Sequence, residues 1–242
     1  ALRHSASHLL AAAVLELYPD AKPTIGPSTD DGFYYDFDFA EPISEKDLPK
    51  IEQKMKELVK HWKGFDHRVV DADEALEIYK DNEYKSELIR EFAGENQTLT
   101  LYKSGEFEDL CRGGHCENPK KELRFFKLLS LAGAYWRGSE ENKMLTRIYG
   151  TAFFNKDELK ENLKMREEAK ERDHRKIGKD LGLFVFSDTI GKGLPLWTEK
   201  GATIRRELER FITDEEIRRG YSHVITPDIA NLDLYRKSGH YP

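Results

Sequence analysis

The sequence predicts an α+β fold in which an antiparallel sheet packs against helices. Helical and strand patterns mingle along the chain without the regular strand-helix alternation of a parallel sheet. The 242 residues allow one large domain or two smaller ones, and 38% of them are hydrophobic. The charged fraction of 35% is above the usual share of about 25%. We therefore expect a soluble, folded and highly charged protein.

Several classes of protein are excluded by composition. No apolar run approaches the roughly 18 residues of a membrane span, and the N-terminus lacks a secretory signal pattern. Two cysteines, Cys111 and Cys116, are too few and too close together for a disulfide framework, so we expect a cytoplasmic location. The net charge of −6 argues against nucleic-acid binding over the whole surface, although a local site remains compatible with it.

The first elements follow from apolar spacing. Residues 1–17 carry apolar side chains at helical intervals from the first position, which predicts a helix and suggests a segment of a longer protein. Residues 32–39 alternate, so Phe33, Tyr35 and Phe37 are expected on one face of a strand and Asp36 and Asp38 on the other. The sequence therefore begins with a helix followed by a strand with an aromatic face.

The next elements are shorter. Ser44 is a suitable N-cap for a helix whose apolar positions run from Leu48 to Trp62. A short strand is predicted at 67–70, and two short helices at about 72–79 and 84–92.

The second half of the chain changes composition at residue 155. Residues 155–180 are rich in Lys, Arg and Glu, which predicts a solvated linker helix. A strand at 183–186, a helix at about 202–219 and a strand at 222–226 follow. We predict three segments: a first domain at 1–154, the linker at 155–180, and an incomplete further domain at 181–242.

Two pairs of residues with metal-ligand chemistry stand out. His4 and His8 are four apart on the first helix and therefore share a face. Cys111 and His115 are also four apart, around a Gly-Gly turn. The four side chains form a plausible tetrahedral zinc shell, and a subset of three leaves a position for water. The alternative is a metal-free site in which these groups and a carboxylate such as Asp109 activate water.

A second feature is the basic, aromatic segment Lys120–Arg147. It carries seven basic and three acidic residues, with Phe125, Phe126, Tyr135 and Trp136 interleaved. Cations beside aromatic rings suit single-stranded nucleic acid. The competing interpretation is a basic strand pair with ordinary core aromatics.

Six sequence strings, spread in order over residues 1–154, resemble the editing domain of threonyl-tRNA synthetases, which is related to that of alanyl-tRNA synthetases. The string at 172–179 resembles the segment before the catalytic domain in bacterial-type threonyl enzymes, and residues 202–227 resemble the first motif of class II synthetases. The six strings are RHSASHLL (3–10), GFYYD (32–36), EYK (83–85), DLCRGGH (109–115), GAYWRG (133–138) and NKMLTRIYGT (142–151).

The resemblance implies an activity that makes physical sense. A site that accepts threonine cannot strongly reject serine, because one methyl group changes binding by only about 1–3 kcal/mol. An editing site therefore hydrolyses the ester between serine and the terminal ribose of tRNA for threonine. Aminoacylation is not expected from this chain alone, because the ATP-binding motifs would follow residue 242.

The resemblance also implies residue roles. His4 would position or activate water, Lys85 would supply positive charge near the ester, and Asp109 would engage the serine ammonium or hydroxyl group. His8, Cys111 and His115 would complete the polar floor of the site, Tyr35 would shape the pocket or touch the terminal adenosine, and Arg112 would contact phosphate or backbone. Without the resemblance, Lys85 and Asp109 read as a surface ion pair and Tyr35 as a core residue.

Cofactors and partners follow in the same way. Editing is expected to need no cofactor, with zinc possible at His4, His8, Cys111 and His115, whereas ATP and a further zinc would belong to the absent catalytic region. The expected partner is tRNA for threonine carrying a serine ester, with a homodimer for the full-length enzyme and no membrane. Two other classes stay open: an inactive module that binds the tRNA acceptor end, and a structural zinc-binding domain.

Overall fold

A four-stranded antiparallel sheet organises the first part of the chain in the computed structural model, which describes residues 1–191 and 193–241. The chain divides into two units, Ala1–Met165 and Arg166–Pro242. Lys192 and Pro242, which fall in the predicted segment 181–242, lie outside the described residues. The elements of the first unit are α1 (Leu2–Leu17), β1 (Lys22–Pro23), β2 (Phe33–Asp38), α2 (Leu48–Leu58), β3 (Asp66–Val70), α3 (Ala72–Ile78), α4 (Glu83–Gly94), β4 (Leu99–Ser104), β5 (Phe107–Leu110), α5 (Pro119–Glu122), β6 (Phe125–Tyr135), β7 (Met144–Phe153) and the start of α6 (Lys156–Glu171).

Helices α1 and α2 cover the larger sheet, whose strand order is β1-β2-β7-β6. Helix α1 is buried along most of its length because its run of alanines lets neighbouring elements approach closely. Helix α2 follows a 3₁₀ turn, Glu45–Asp47, at which Ser44 and Asp47 form a capping box. Ser44 thus caps the 3₁₀ turn that leads into α2, whereas the N-cap of α2 itself is Asp47, three residues after the predicted position. The main core lies between these helices and the sheet.

A second antiparallel sheet, in the order β3-β4-β5, packs against α3 and α4. It has its own small core around Ile89 and Leu101, both fully buried. Strands β4 and β5 were not among the predicted elements, although Leu99 and Leu101 alternate with polar residues. Strand β5 carries Asp109 and leads into Cys111. This sheet therefore positions half of the predicted site.

Both faces of β2 are buried, including the one that carries the two aspartates. Asp36 and Asp38 are only 3% and 8% exposed, because side chains of β7 and its preceding loop cover them. Arg147 forms a bidentate pair with Asp36, and Lys143 and Tyr84 bind Asp38. The alternating pattern predicted the strand correctly. Its polar face is buried because Asp36 and Asp38 are paired with cationic side chains.

The second unit consists of the remainder of α6, α7 (His174–Asp180), β8 (Phe184–Val185), β9 (Leu196–Trp197), α8 (Glu199–Arg218) and α9 (Leu232–Lys237). The predicted continuous helix 155–180 is interrupted at residues 172–173. Asp173 caps a new helix, since its side chain accepts the N–H of Arg175. Helix α8 begins three residues before the predicted start at 202, where Thr198 provides the N-cap.

The predicted strand at 222–226 is absent from the described structure, in which these residues are irregular. Val224 and Ile225 are 75% and 89% exposed, so the segment has no neighbouring strand to complete a ladder.

Among the described helices, none combines the length and apolarity needed to cross a bilayer.

Candidate active site

Four side chains from opposite ends of the first unit meet at one point. His4 and His8 project from α1, and Cys111 and His115 come from the loop after β5. Their ligand-type atoms all lie within 4.8 Å of one another. Cys111 Sγ is 3.4 Å from Nε2 of both His4 and His115. The structure thus brings together the two pairs that the sequence places about a hundred residues apart.

The loop reaches this geometry through its two glycines. Gly113 and Gly114 have φ angles of +90° and +87°, a region that side chains with a Cβ rarely adopt. A Cβ on Gly113 would lie 2.3 Å from the hydroxyl oxygen of Tyr102. The Gly113 N–H donates to Cys111 Sγ over 3.2 Å, which fixes the thiol within the turn.

The ring of His115 is held mainly by aromatic packing. Phe65 stacks on it with a centroid distance of 4.0 Å and an angle of 9°, and His4 lies 4.6 Å away. Ser5 lies 3.5 Å from His115 Nδ1, and its hydroxyl also accepts the N–H of Cys116 at 2.9 Å. Cys116 itself is buried in the main core.

A buried ion pair lies beside the histidines. Lys85 Nζ is 2.5 Å from Asp109 Oδ1, and the two side chains are 2% and 4% exposed. The hydroxyl of Tyr35 donates to Asp109 Oδ2 at 2.6 Å and accepts from Lys85 Nζ at 3.3 Å. The alternative interpretation as a surface ion pair is therefore wrong. Both charges are buried, and each one compensates the desolvation cost of the other.

Burial determines the protonation of the cluster. It lowers the pKa of His4 and places that of His8 well below its usual value. It lowers the pKa of His115 to about 3, and neighbouring histidines add to the effect at His8 and His115. It raises the pKa of the Cys111 thiol. Burial, with Asp109 adding to it, raises the pKa of Tyr35 well above its usual value. At neutral pH the cluster therefore presents neutral imidazoles and a thiol.

These groups border a cavity of about 470 Å³. Its polar wall contains His4, His8, Lys85, Asp109, Cys111 and Arg112, and its apolar wall comes from α4 and β4. His115 adjoins this wall through its contact with His4. Arg112 is exposed, lies over the ring of Phe92 at 4.8 Å and binds the side chain of Gln97.

Tyr35 lies beneath the cavity. It is 1% exposed and its ring stacks on Phe37 at 4.9 Å. It acts on the cavity through its hydrogen bond to Asp109. The sequence left core packing and contact with the pocket or the terminal adenosine as alternatives for Tyr35. The structure shows core packing, together with a hydrogen bond that holds Asp109.

The donor set fits a zinc ion. The sites of zinc proteins use imidazole nitrogens and cysteine sulfur in tetrahedral arrangement, and the four atoms here are near enough to share one ion after small rotations. His8 Nδ1 is buried without a hydrogen-bond partner among the described residues. Neutral histidines favour ligation, whereas the thiol would have to lose its proton.

Sequence reasoning missed several supporting residues. Ser5 lies within a recognised string, but a serine inside a helix carries no signal of a contact more than a hundred residues away. Phe65 and Tyr102 read as ordinary strand and loop aromatics. The apolar wall, including Leu88, Phe92 and Leu99, follows the spacing of any packed helix or strand and could not be distinguished from core.

Comparison with known proteins extends over nearly the whole chain. The family model "Threonyl and Alanyl tRNA synthetase second additional domain" matches residues 99–149. The threonine–tRNA ligase of Staphylococcus carnosus (strain TM300) is 56% identical over 240 residues, which are 99% of this chain and 37% of that protein. Those of Staphylococcus aureus strains JH9 and Newman are 55% identical over the same lengths. The chain thus spans little more than a third of these relatives.

Proposed function

Because this chain is similar over 99% of its length to one segment of threonine–tRNA ligases, we propose that its first unit is the editing hydrolase region of such an enzyme. The proposed substrate is tRNA for threonine that carries serine, and the reaction is hydrolysis of the serine ester. The observation that carries the proposal is one cavity lined by His4, His8, Lys85, Asp109 and Cys111, which come from three distant parts of the sequence.

The reaction requires a placed water molecule and a stabilised oxyanion. His4 is only partly buried, and the lone pair of its neutral imidazole would accept a proton from water. The water oxygen forms a bond to the ester carbonyl carbon, the bond from that carbon to the ribose oxygen breaks, and the proton passes to the ribose oxygen. Free serine and a tRNA with an intact terminal hydroxyl group result.

The ion pair of Lys85 and Asp109 supplies the charged groups of the proposed site. Lys85 Nζ, held by Asp109 and the Tyr35 hydroxyl, is a fixed positive group at the cavity wall that favours negative charge on the ester oxygen. The remaining lone pairs of the Asp109 carboxylate would accept hydrogen bonds from the serine ammonium or hydroxyl group. Both charges are set before substrate arrives, which avoids reorganisation during the reaction.

We propose that hydrolysis needs no metal, with zinc as the alternative. If zinc is present, three of the residues His4, His8, Cys111 and His115 would hold it in a catalytic site, and the fourth position would take a water whose pKa the ion would lower to about 7. All four residues as ligands would make a structural site without a water position. The metal content of the purified chain distinguishes a metal-free site from a zinc site. A stoichiometric zinc in a chain without hydrolase activity supports the structural zinc domain instead.

For the second unit we propose the opening segment of a class II catalytic domain, on the evidence of the ligase similarity that extends through it. Helix α8 carries an exposed apolar row, in which Leu208 and Phe211 are both 63% exposed. Such a row suits the dimer interface expected of the full-length enzyme.

The test is release of serine from preformed seryl-tRNA for threonine, with threonyl-tRNA as the competing substrate. The chain should release serine selectively, and His4→Ala should abolish most of the release. His61→Ala, a change to an exposed histidine outside the cavity, should leave it intact. Equal rates for the chain, the His4 variant and buffer would refute the hydrolase proposal.

A further inference from the structure

A second concave surface, which we call the basic groove, lies on α2 and α5. It is a cavity of about 660 Å³ lined by Lys56, Lys60, Lys120, Lys121 and Arg124, with an apolar floor of Val59, Leu123 and Phe126 and with Asn118 at its edge. Its lining contains no acidic residue. In a chain with a net charge of −6, five cations around one cavity are a marked local reversal of charge.

The structure divides the predicted basic segment Lys120–Arg147 into two sets. Four of its seven basic residues are neutralised by nearby carboxylates. These pairs are Lys127 with Glu52, Arg137 with Glu87, Lys143 with Asp38, and Arg147 with Asp36. Two of its aromatic residues, Phe126 and Trp136, are buried and cannot stack on bases. The segment as a whole is therefore not a binding surface.

The other three basic residues are the ones that line the groove. Lys120, Lys121 and Arg124 are exposed, and within residues 1–191 and 193–241 their side chains have no carboxylate partner. Lys60 joins them from the end of α2, also exposed and also without an ion pair in the described chain. Lys56 differs, because it is bound to Glu52 at 2.7 Å. Four cations thus keep their full charge for an external anion.

Both walls of the groove continue into the candidate active site. Asn118 follows His115 by three residues, a span of at most about 11 Å. On the other wall, Lys60 precedes Phe65 by five residues, and the Phe65 ring stacks on His115. The edge of the groove at Asn118 therefore lies no more than about 11 Å from His115, a distance that a few nucleotides of a phosphodiester chain can span.

We propose that the basic groove binds the phosphodiester backbone of the tRNA acceptor strand whose end occupies the editing cavity. This inference rests on the proposed function, since it takes the substrate to be an aminoacyl-tRNA. Phosphate groups pair with the four unneutralised cations, and the apolar floor accommodates ribose. Contacts with phosphate and ribose do not distinguish one base from another. The groove would therefore contribute to the affinity for the RNA and to its position, but not to sequence specificity.

The test measures binding separately from catalysis. A labelled, uncharged acceptor-stem RNA with its single-stranded 3′ end is titrated with the chain, and fluorescence anisotropy gives the Kd from about 50 to about 200 mM salt. The variant Lys120→Gln/Lys121→Gln/Arg124→Gln should bind at least tenfold more weakly at the lowest salt. The plot of log affinity against log salt concentration has a negative slope, which should become shallower by about 2 in this variant. Each lost phosphate contact reduces the magnitude of that slope by about 0.7–0.9.

A matched variant controls for net charge. Lys46→Gln/Lys80→Gln/Lys103→Gln removes three exposed charges outside the groove and should keep the original slope. Equal losses of RNA affinity in the two triple variants, or no loss in the groove variant, would overturn the proposal.

The single change Lys120→Glu tests the same point with less risk to folding. A urea midpoint equal to that of the unmodified chain shows that each variant is folded.

Hydrolysis then separates this inference from the function on which it rests. In the groove variant, KM for seryl-tRNA should rise about as much as Kd while kcat is kept. Seryl-adenosine, which has no phosphate, should be hydrolysed at the unchanged rate. RNA binding that depends on the groove without any hydrolysis would refute the editing function alone, whereas hydrolysis with an unchanged KM would refute the groove alone.

Discussion

At the scale of single residues, Tyr35 shows how one hydroxyl group connects the core to the site. Its ring is packed in the main core, and its hydroxyl holds the Asp109 carboxylate opposite Lys85. The sequence shows only an aromatic residue on an alternating strand. The contact with a residue 74 positions away is a product of folding.

We predict that Tyr35→Phe destabilises the chain by about 1.5–3 kcal/mol, because it removes a hydrogen bond to a buried charged group while it preserves the ring. Urea unfolding measures this free energy. Tyr34→Phe, on the same strand and less buried, is the control and should cost less. Serine release should fall in Tyr35→Phe through misplaced Asp109 and Lys85, and full activity with unchanged stability would contradict the assigned role.

The buried histidines predict a loss of stability in acid. The pKa of His115 is about 3 in the folded chain and near 6.5 when unfolded, so below pH 6.5 the unfolded chain binds protons that the folded chain does not. The free energy of unfolding should therefore decrease from pH 7.5 to 5.5, with about 1 kcal/mol from His115 after allowance for its partial exposure.

Urea unfolding of the chelator-treated chain at the two pH values measures this loss. His115→Asn should show a smaller decrease, whereas the exposed His61→Asn should show the full one. An identical decrease in all three proteins would assign the acid sensitivity to other groups.

At the scale of elements, Glu52 joins α2 to the larger sheet. It is 6% exposed, and its carboxylate binds Lys56, Lys127 and the backbone N–H of Leu128. Leu128 lies at a register irregularity between β6 and β7, where a backbone N–H needs a partner outside the ladder. A helix side chain thus completes the hydrogen bonding of a strand.

We predict that Glu52→Ala costs about 2–3 kcal/mol, since it leaves the Leu128 N–H buried and unpaired, and that Glu52→Gln costs about 1 kcal/mol because the amide oxygen still accepts. Burial acts to raise the pKa of Glu52, but hydrogen bonds from Lys56, Lys127 and Leu128 outweigh it and the pKa is lowered. The contribution of the charge is therefore complete above about pH 4.5 and is lost as the pH falls further.

The measurement is urea unfolding of both variants at neutral pH and near pH 3. The difference between Glu52→Gln and the unmodified chain should shrink in acid, because protonation of Glu52 removes the charge that glutamine lacks. A difference that is constant with pH would show that packing, rather than charge, determines the cost.

At the scale of the whole molecule, every predicted site residue lies in the first unit, Ala1–Met165. The boundary between the units falls inside α6, where the first unit ends at Met165, eleven residues after the predicted end of the first domain at residue 154. The site and its supporting core are therefore contained in one unit.

We predict that a chain shortened to residues 1–171 folds and releases serine at a rate within about twofold of the 242-residue chain, because no part of the cavity comes from the second unit. Circular dichroism and the seryl-tRNA assay provide the measurement. A folded but inactive short chain would show that the second unit contributes to tRNA docking.

Local patterns in the sequence determined most of the helices and the aromatic strand. Three features could be predicted because each depends on residues a few positions away in the sequence. They are helix α1, strand β2 and the capping role of Ser44. The pairing of β4 with β3 and β5 could not be predicted, because which strands become neighbours in a sheet depends on tertiary contacts. The irregular segment 222–226 shows the converse, since strand-forming residues without a partner stay unpaired.

The sequence by itself determined which chemistry is available: the two ligand pairs, the lysine and carboxylate, and the family resemblance that the comparisons confirm. Only the tertiary structure decided the protonation of these groups and which charges stay free. Burial neutralises His4, His8 and His115, and carboxylates from distant elements neutralise four cations of the basic segment while Lys120, Lys121 and Arg124 are left to the groove. Desolvation and Coulomb interaction depend on distance in space, which the order of residues does not contain.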